Sequence, residues 1–363
     1  MEPTADLVPF HAIRAAAARL AGSAIRTPLV PFLTTADRPI LLKAESLQPI
    51  GAFKIRGAYN AIANLDPAAR AGGVAAASSG NHAQGVARAA RLLGTRATIV
   101  MPVDAPAVKQ DRVRADGATI VHWDPTGPAW IQEVADELAA ARGLAMIHAF
   151  DNADVIAGQG TVGLEIAESV EELAAVLVPI GGGGLISGVA TALRALRPGV
   201  RIVGVEPTLA ADAQESFRSG TLVRWPTALG RRTIADGTRV NLAPRTFAHI
   251  RRLVDDIVTV DESEIAAAVR LVAERSRLVV EPSGALVAAA ACFRWREAGL
   301  DGVNGTVVGI VSGGNVDPLR YLDYLGGAGP RALNPTPAPG QPPRSAARRC
   351  RRRAARRPRG GRR

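Results

Sequence analysis

The feature that most constrains this chain is an uninterrupted apolar run that ends in four glycines. Ala174-Ala175-Val176-Leu177-Val178-Pro179-Ile180 runs into Gly181-Gly182-Gly183-Gly184, and a helical stripe of Leu185, Ile186, Val189, Leu193 and Leu196 follows. A short continuous apolar run of this kind reads as a strand buried on both faces, as in a parallel sheet covered by helices. A turn alone needs one glycine, and four cost backbone entropy on ordering. They make sense where backbone N–H groups approach an anion closely, at the positive end of the following helix. The loop therefore predicts a phosphate cradle. No Gly-Lys-Ser/Thr follows, as a Walker A loop requires, and the G-x-G-x-x-G spacing of a dinucleotide fold is absent.

The same strand-then-helix rhythm runs through most of the chain. Strands are expected at 40–44, 73–78, 97–101, 118–123, 145–149, 175–180, 201–205, 257–260 and 306–312, with an amphipathic helix over 8–25 and helices such as 80–93, 130–141 and 186–196. This predicts an α/β protein of two lobes, each an open, twisted, mainly parallel sheet flanked by helices, with the ligand in the cleft between them. The expected division is a large lobe of 1–50 plus 151–328, a small mobile lobe of 51–150, and a disordered tail of 329–363.

That tail accounts for the charge. The chain carries a formal +11, but residues 330–363 hold twelve arginines, no lysine and no acid, so residues 1–329 carry 11 − 12 = −1. The body gives no electrostatic reason to expect nucleic acid, and a tail without aromatics cannot stack on bases. No long uncharged apolar run predicts a membrane span, and the acidic N-terminus lacks the pattern of an export signal. With two cysteines, Cys292 and Cys350, no disulfide framework is possible and a reducing cytoplasm is the expected home.

Lysine is scarce: Lys43, Lys54 and Lys109 are the only three. Lys54 lies in Gly51-Ala52-Phe53-Lys54-Ile55-Arg56-Gly57-Ala58, where apolar neighbours would desolvate its amine and free the lone pair for bonding to a carbonyl. Read alone, the segment also fits a surface lysine at a helix start. Ser78-Ser79-Gly80-Asn81-His82 sits between a strand and a helix and reads equally as an anion site or a plain N-cap cluster. Ser312-Gly313-Gly314-Asn315 is ambiguous in the same way.

Taken together, the segments resemble the threonine/serine dehydratase and serine racemase group of fold-type II pyridoxal-phosphate (PLP) enzymes. The resemblance runs from about residue 8 to about residue 325, with its motifs in the family's order. They are Ser46-Leu47-Gln48-Pro49 leading into 53–58, then Ser79 to Gly85, Gly181 to Leu185, Thr233-Ile234-Ala235-Asp236-Gly237, Glu281-Pro282-Ser283-Gly284-Ala285, and 312–315. It implies that Lys54 bonds the cofactor's aldehyde and acts as the catalytic base. It implies that Asn81 meets the ring hydroxyl, that Gly181, Gly182, Gly183, Gly184 and the Leu185 amide hold the phosphate, and that Ser312 faces the pyridine nitrogen. Phe53 and Glu281 line the cofactor cleft, and Ser78, Ser79, Gly80 and His82 receive the substrate. The implied reaction is β-elimination of L-threonine to 2-oxobutanoate and ammonia, or of L-serine to pyruvate.

Ser79, where many biosynthetic dehydratases of this group carry alanine, points to the alternatives: serine racemase or threo-3-hydroxyaspartate dehydratase. A PLP-dependent β-replacement enzyme of the same fold is a further competitor. Glu206-Pro207-Thr208-Leu209-Ala210-Ala211-Asp212 places two carboxylates and a carbonyl on one turn, which suits Mg²⁺, Mn²⁺ or Ca²⁺. It also resembles the metal site of racemase-type members, with Glu206, the Ala210 carbonyl and Asp212 as ligands. The resemblance implies a homodimer. Only 38 residues follow Leu325, 363 − 325, so a non-regulated or catabolic-type enzyme is expected rather than one with a C-terminal regulatory domain.

Overall fold

The computed structural model of the protein describes residues 7–126 and 130–327; the Pro- and Arg-rich tail expected from 329 onward lies outside them. In chain order the strands are β1 Leu29–Leu33, β2 Pro39–Ala44, β3 Val74–Ala77, β4 Ala97–Pro102, β5 Thr119–Trp123, β6 Ala145–Met146, β7 Leu173–Pro179, β8 Arg201–Pro207, β9 Asp256–Val260 and β10 Thr306–Val311. The helices are α1 Phe10–Arg19, α2 Lys54–Ala63, α3 Pro67–Gly72, α4 Asn81–Leu92, α5 Ala107–Ala115, α6 Ile131–Arg142 and α7 Ala153–Ser169, then α8 Gly184–Leu196, α9 Asp212–Ser219, α10 Thr227–Gly230, α11 Pro244–Leu253, α12 Glu262–Ser276, α13 Pro282–Phe293 and α14 Pro318–Leu325.

Two sheets form, as the alternation predicts. One has six strands in the order β1-β2-β10-β7-β8-β9, and the other has four in the order β5-β4-β3-β6. Every pairing is parallel except β1 with β2. The two-residue period of a strand divides the larger core. Ala175 and Leu177 of β7 face one apolar cluster with Val307 and Val311, while Val176 and Val178 face another with Val308 and Ile310. A third cluster, built around Ile55, Val74, Val86 and Ile99, fills the smaller sheet's side. Among the described residues no helix is long and apolar enough to cross a membrane.

Some boundaries differ from expectation. The antiparallel edge strand β1 escapes a periodicity search because Pro28 and Pro31 punctuate it, and an edge position tolerates proline. The first helix stops at Arg19, and β6 is only two residues long.

Three helices share a glycine seam. A Cβ at Gly158 of α7 would come 2.5 Å from the Arg56 carbonyl of α2, and one at Gly188 of α8 would come 2.3 Å from the Ile156 carbonyl of α7. Bare backbone therefore lets α2 and α8 approach α7 from two sides. A buried ion cluster fixes α2 further. The Arg56 guanidinium, about 1% exposed, donates to Glu45 Oε1 and Oε2 (both 2.8 Å), Glu165 Oε1 (2.6 Å), Thr161 Oγ1 (3.0 Å) and the Ile25 carbonyl (3.0 Å). Lys43 Nζ completes the group with 2.6 Å to Glu165 and 2.7 Å to the Thr27 carbonyl. Two cations face two carboxylates, so the cluster is neutral as a whole.

Removing one member strands the rest in a low-dielectric site. Arg56→Met is expected to lower the unfolding free energy by about 3–5 kcal/mol, and urea denaturation at pH 7 checks it.

Candidate active site

Lys54 is the first residue of α2, and the backbone just before it is tied to the end of β10. Phe53 N donates to the Ser312 carbonyl at 3.0 Å, and Ala52 forms a bridge with Gly313. The Lys54 amine donates to the Ala149 carbonyl at 3.0 Å and lies 5.1 Å from the centre of the Phe53 ring. Among the described residues that carbonyl is its one polar partner, and no carboxylate pairs with it. Burial therefore acts unopposed and pulls its pKa down to about 8.

The Ser-Gly-Asn loop follows β3 and opens α4. Gly80 N donates to Ser78 Oγ at 3.1 Å, while the Ser79 side chain is exposed. Asn81 turns inward. Its Nδ2 donates to Glu281 Oε1 at 2.7 Å, and its Oδ1 accepts from Asn315 Nδ2 at 2.8 Å. His82 is buried, and its Nε2 donates to the Ile147 carbonyl at 2.8 Å, so the neutral tautomer carries its proton there. Nδ1 of the same ring is buried without a partner. Burial, then the charge of Lys54, pulls the imidazole pKa to about 3. A Cβ at Gly85 would lie 3.1 Å from the Lys54 carbonyl, which is how α4 reaches the start of α2.

The tetraglycine loop links β7 to α8. Gly183 takes φ +86°, the left-handed region that a side chain disfavours. A Cβ at Gly182 would strike the Phe150 ring at 2.3 Å, so Phe150 covers this loop as closely as bare backbone allows. The amides of Gly181, Gly182 and Gly183 find no protein acceptor among the described residues, although Gly182 and Gly183 are buried. Buried N–H groups without acceptors are rare and costly. Together with the N-terminus of α8 and the buried Leu185, they suit a phosphate.

Glu281 and Ser312 close the cleft on the large-sheet side. Glu281 N donates to the Gly313 carbonyl at 3.1 Å, and its carboxyl is pushed up to about 7 by burial first and the nearby Asp236 charge second, with Lys109 and Asn81 opposing. Ser312 is buried, its hydroxyl 3.5 Å from the Ser283 carbonyl. The loops after β3, β7 and β10 thus carry Ser78 to His82, Gly181 to Leu185 and Ser312 at the C-terminal ends of parallel strands, where ligands bind in such sheets, while Phe53, Lys54 and Glu281 come from the starts of α2 and α13. An amine of depressed pKa beside a loop of unsatisfied amides fits PLP, with Lys54 for its aldehyde and Gly181–Leu185 for its phosphate.

Sequence reasoning missed several participants. Asn315 was only part of a motif, yet its Nδ2 holds both Asn81 and the Ile50 carbonyl, at 2.8 Å each. Lys109 pairs with Asp236 at 2.7 Å, and Arg112 with Asn315. The Ala149 carbonyl and the Phe150 ring leave no signal, since the first reaches Lys54 across 95 residues of chain and the second reaches Gly182 across 32, 182 − 150.

The acidic turn runs from the end of β8 into α9. Glu206 accepts from Ala213 N (3.1 Å) and Gln214 N (2.8 Å), and Asp212 Oδ2 accepts from Leu242 N (2.9 Å). Both carboxyls are buried, and Ala210 is buried beside them in sequence. Burial, then Asp212, pushes Glu206 well up; burial leads in raising Asp212 to about 6. Among the described residues no cluster of three or more His, Cys, Asp or Glu side chains forms a metal site.

Comparison with known proteins agrees with this geometry. The family model "Pyridoxal-phosphate dependent enzyme" matches residues 20–313. The chain is 45% identical to an L-threo-3-hydroxyaspartate ammonia-lyase of Saccharomyces cerevisiae, over 83% of this chain and 91% of the relative. It is 42% identical to an L-threonine ammonia-lyase of Geobacter sulfurreducens, over 86% of this chain and 76% of the relative. The solved structure of maize serine racemase superimposes with a TM-score of 0.82 at 38% identity, covering 88% of this chain and 97% of that one.

With a pKa of about 8 rather than 10.5, about a tenth of the Lys54 amines are neutral at pH 7, against roughly three in ten thousand for an ordinary lysine. The rate at which cofactor-free protein forms a borohydride-reducible adduct with PLP should therefore rise with pH to a plateau with its midpoint near 8, measured by stopped-flow absorbance.

Proposed function

Because this chain belongs to the family of pyridoxal-phosphate dependent enzymes, we propose that it is an ammonia-lyase that eliminates water from a small β-hydroxy-amino acid and releases a 2-oxo acid and ammonia. The observation that carries this reading is the pairing of one half-buried, unpaired amine, Lys54, with a loop of buried amides that lack acceptors. When bound, PLP supplies a conjugated ring that accepts the electron pair left at Cα.

The chain's own residues do the rest. Lys54 would hold the cofactor's aldehyde, and its amine, when free, would take the Cα proton, a task its depressed pKa suits near neutral pH. Gly181 to Leu185 hold the phosphate, and Asn81, itself held by Asn315 and Glu281, meets the ring hydroxyl. Ser312 offers the ring nitrogen a hydroxyl rather than a charge. Ser78, Ser79 and the Gly80 amide receive the substrate carboxylate at the start of α4. The neutral His82 follows them in the first turn of α4, held by the Ile147 carbonyl. Phe53 and Phe150 line the pocket walls and exclude water.

A racemase activity is the second reading, favoured by the exposed Ser79 hydroxyl, a second group able to carry a proton. The likeness to maize serine racemase supports it. Glu206, the Ala210 carbonyl and Asp212 are read as a structural or activating site for Mg²⁺, Mn²⁺ or Ca²⁺. Two buried carboxyls without a cationic partner, each raised by burial, are what a divalent cation would relieve. A homodimer is the assembly proposed, consistent with the exposed apolar side chains Leu47, Val279, Leu319 and Leu322.

The test is keto-acid release by PLP-loaded protein from L-serine, L-threonine and L-threo-3-hydroxyaspartate. At least one should be turned over, Lys54→Ala should lower the rate by 10³-fold or more, on the order expected when a covalent base is lost, and failure on all three would end the reading. Chiral chromatography of the L-serine reaction decides the racemase. EDTA treatment is expected to lower the melting temperature, and re-addition of Mg²⁺ to restore it.

A further inference from the structure

The short segment between β6 and α7 touches both ends of the cofactor site. Ile147 N continues the strand pairing by donating to the Ala75 carbonyl at 2.8 Å. The Ile147 carbonyl then accepts from His82, the Ala149 carbonyl accepts from Lys54, and the Phe150 ring covers Gly182. Asn152 Oδ1 accepts from Val155 N at 2.9 Å and caps α7. Residues 148–151 therefore join the smaller sheet to the helix that carries the glycine seam. No step of the chemistry above uses His148, which opens this turn and is half-buried.

We infer that His148 is a positioning residue for the cofactor: its Nδ1 folds the turn that sets the Ala149 carbonyl on the Lys54 amine and the Phe150 ring on the tetraglycine loop. Nδ1 accepts from Asp151 N at 3.0 Å and, less closely, from Phe150 N at 3.4 Å. One side-chain atom thus serves two successive amides, as the side-chain oxygen of an Asx turn does. The imidazole also meets the Phe150 ring edge to face, with centroids 4.8 Å apart and planes at 85°. The same side chain therefore holds Phe150 by its backbone and by its ring. Phe150 has no slack against the loop. A Cβ at Gly184 would come 2.9 Å from the Phe150 Cβ, and one at Gly182 would come 2.3 Å from its ring. A displaced turn would move the cover of the amide cradle and the acceptor of the lysine together.

The role fixes where the ring carries its proton. A nitrogen that accepts from amides is bare, so the neutral imidazole is protonated on Nε2. Burial leads in lowering its pKa, with Asp151 and Asp136 opposing and Lys54 adding to the shift. Lys54 and His82 bond to the carbonyls of residues 149 and 147, so His148 acts on them through the chain that flanks it. The inference rests on the assignment of PLP to this cleft, and it is independent of whether a lyase or a racemase reaction follows.

The alternative is that His148 stabilises its turn with no bearing on the cofactor. The measured quantities are the Kd values of cofactor-free, full-length protein for PLP, for pyridoxal and, by competition, for sulfate. Pyridoxal lacks the phosphate and reports the Lys54 end, while sulfate reports the glycine loop. His148→Phe keeps an aromatic ring beside Phe150 and loses the acceptor. His148→Asn loses the ring and keeps an acceptor suited to the same amides. Positioning predicts that His148→Phe weakens PLP about tenfold, on the order of one hydrogen bond lost, and weakens pyridoxal and sulfate each by about threefold or more. His148→Asn should bring PLP affinity back to within about threefold of wild type. A His148→Phe protein that melts at a lower temperature yet binds PLP like wild type would show a stabilising role alone and overturn the inference. So would an Asn variant no better than the Phe variant, or weakening at one end only. Nitrogen NMR of wild type labelled at histidine applies even where a variant fails to fold. Near neutral pH the His148 ring should show a bare Nδ1 and a protonated Nε2, and the opposite tautomer would remove the acceptor on which the turn is argued to depend. Wild type that binds no PLP would instead sink the cofactor assignment, and the inference with it.

Discussion

The catalytic geometry depends on the buried contact between Arg56 and the carboxylates of Glu45 and Glu165. Residues two apart on a helix point about 200° from each other. An Arg56 face locked into the ion cluster therefore turns the Lys54 face the opposite way, toward the cleft. Hydrophobic packing alone would hold α2 against its neighbours but leave its rotation and axial position loosely specified. The guanidinium's planar fork specifies both, because it matches two carboxylates, a hydroxyl and a carbonyl from three different segments of chain. The price is desolvation of four charges. It is kept bearable by overall neutrality and by nearly complete hydrogen bonding, including Thr27 to Glu45 at 2.6 Å and Gln48 to Glu45 at 3.1 Å.

The glycine seam converts this local lock into a fixed distance between the two halves of the cofactor site. α2 starts with the amine, and α8 starts immediately after the amide cradle. Both lie on α7, at separations where even a methyl group at Gly158 or Gly188 would meet backbone. Close-packed backbone is hard to compress or slide. The amine and the anion cradle therefore belong to one rigid body, while the Ser-Gly-Asn loop approaches it on α4. Those are the conditions under which a cofactor can be held at both ends without strain.

What the sequence reveals follows the range of the contacts. Strand and helix alternation is a local signal, and every strand expected from it forms, with ends shifted by a few residues. The strand that escapes notice, β1, breaks the local rule with Pro31 because an edge position permits it. The site loops were legible for a related reason: glycine runs and Ser-Gly-Asn clusters occur where backbone itself faces a ligand, so their chemistry is written in consecutive residues. The Ala149 carbonyl, the Phe150 ring over Gly182, the Asn315 bridge and the Lys109–Asp236 pair are not written that way. Each joins segments far apart in the chain through residue types that are ordinary in their own neighbourhoods. No periodicity marks them, and only the folded arrangement makes them functional.

Burial then sets the electrostatic character of the cleft, and it acts in one direction on every group. It disfavours whichever form is charged, so it lowers Lys54 to about 8 and His82 to about 3 and raises Glu281 to about 7. Near neutral pH the protein therefore lines the cleft with partly neutral amine, neutral imidazole, partly protonated carboxyl and bare amides, rather than with fixed ion pairs. A site of that kind has little charge of its own to be screened or satisfied internally. The negative charge comes with the phosphate and the substrate carboxylate, and it meets donors already in place and dry.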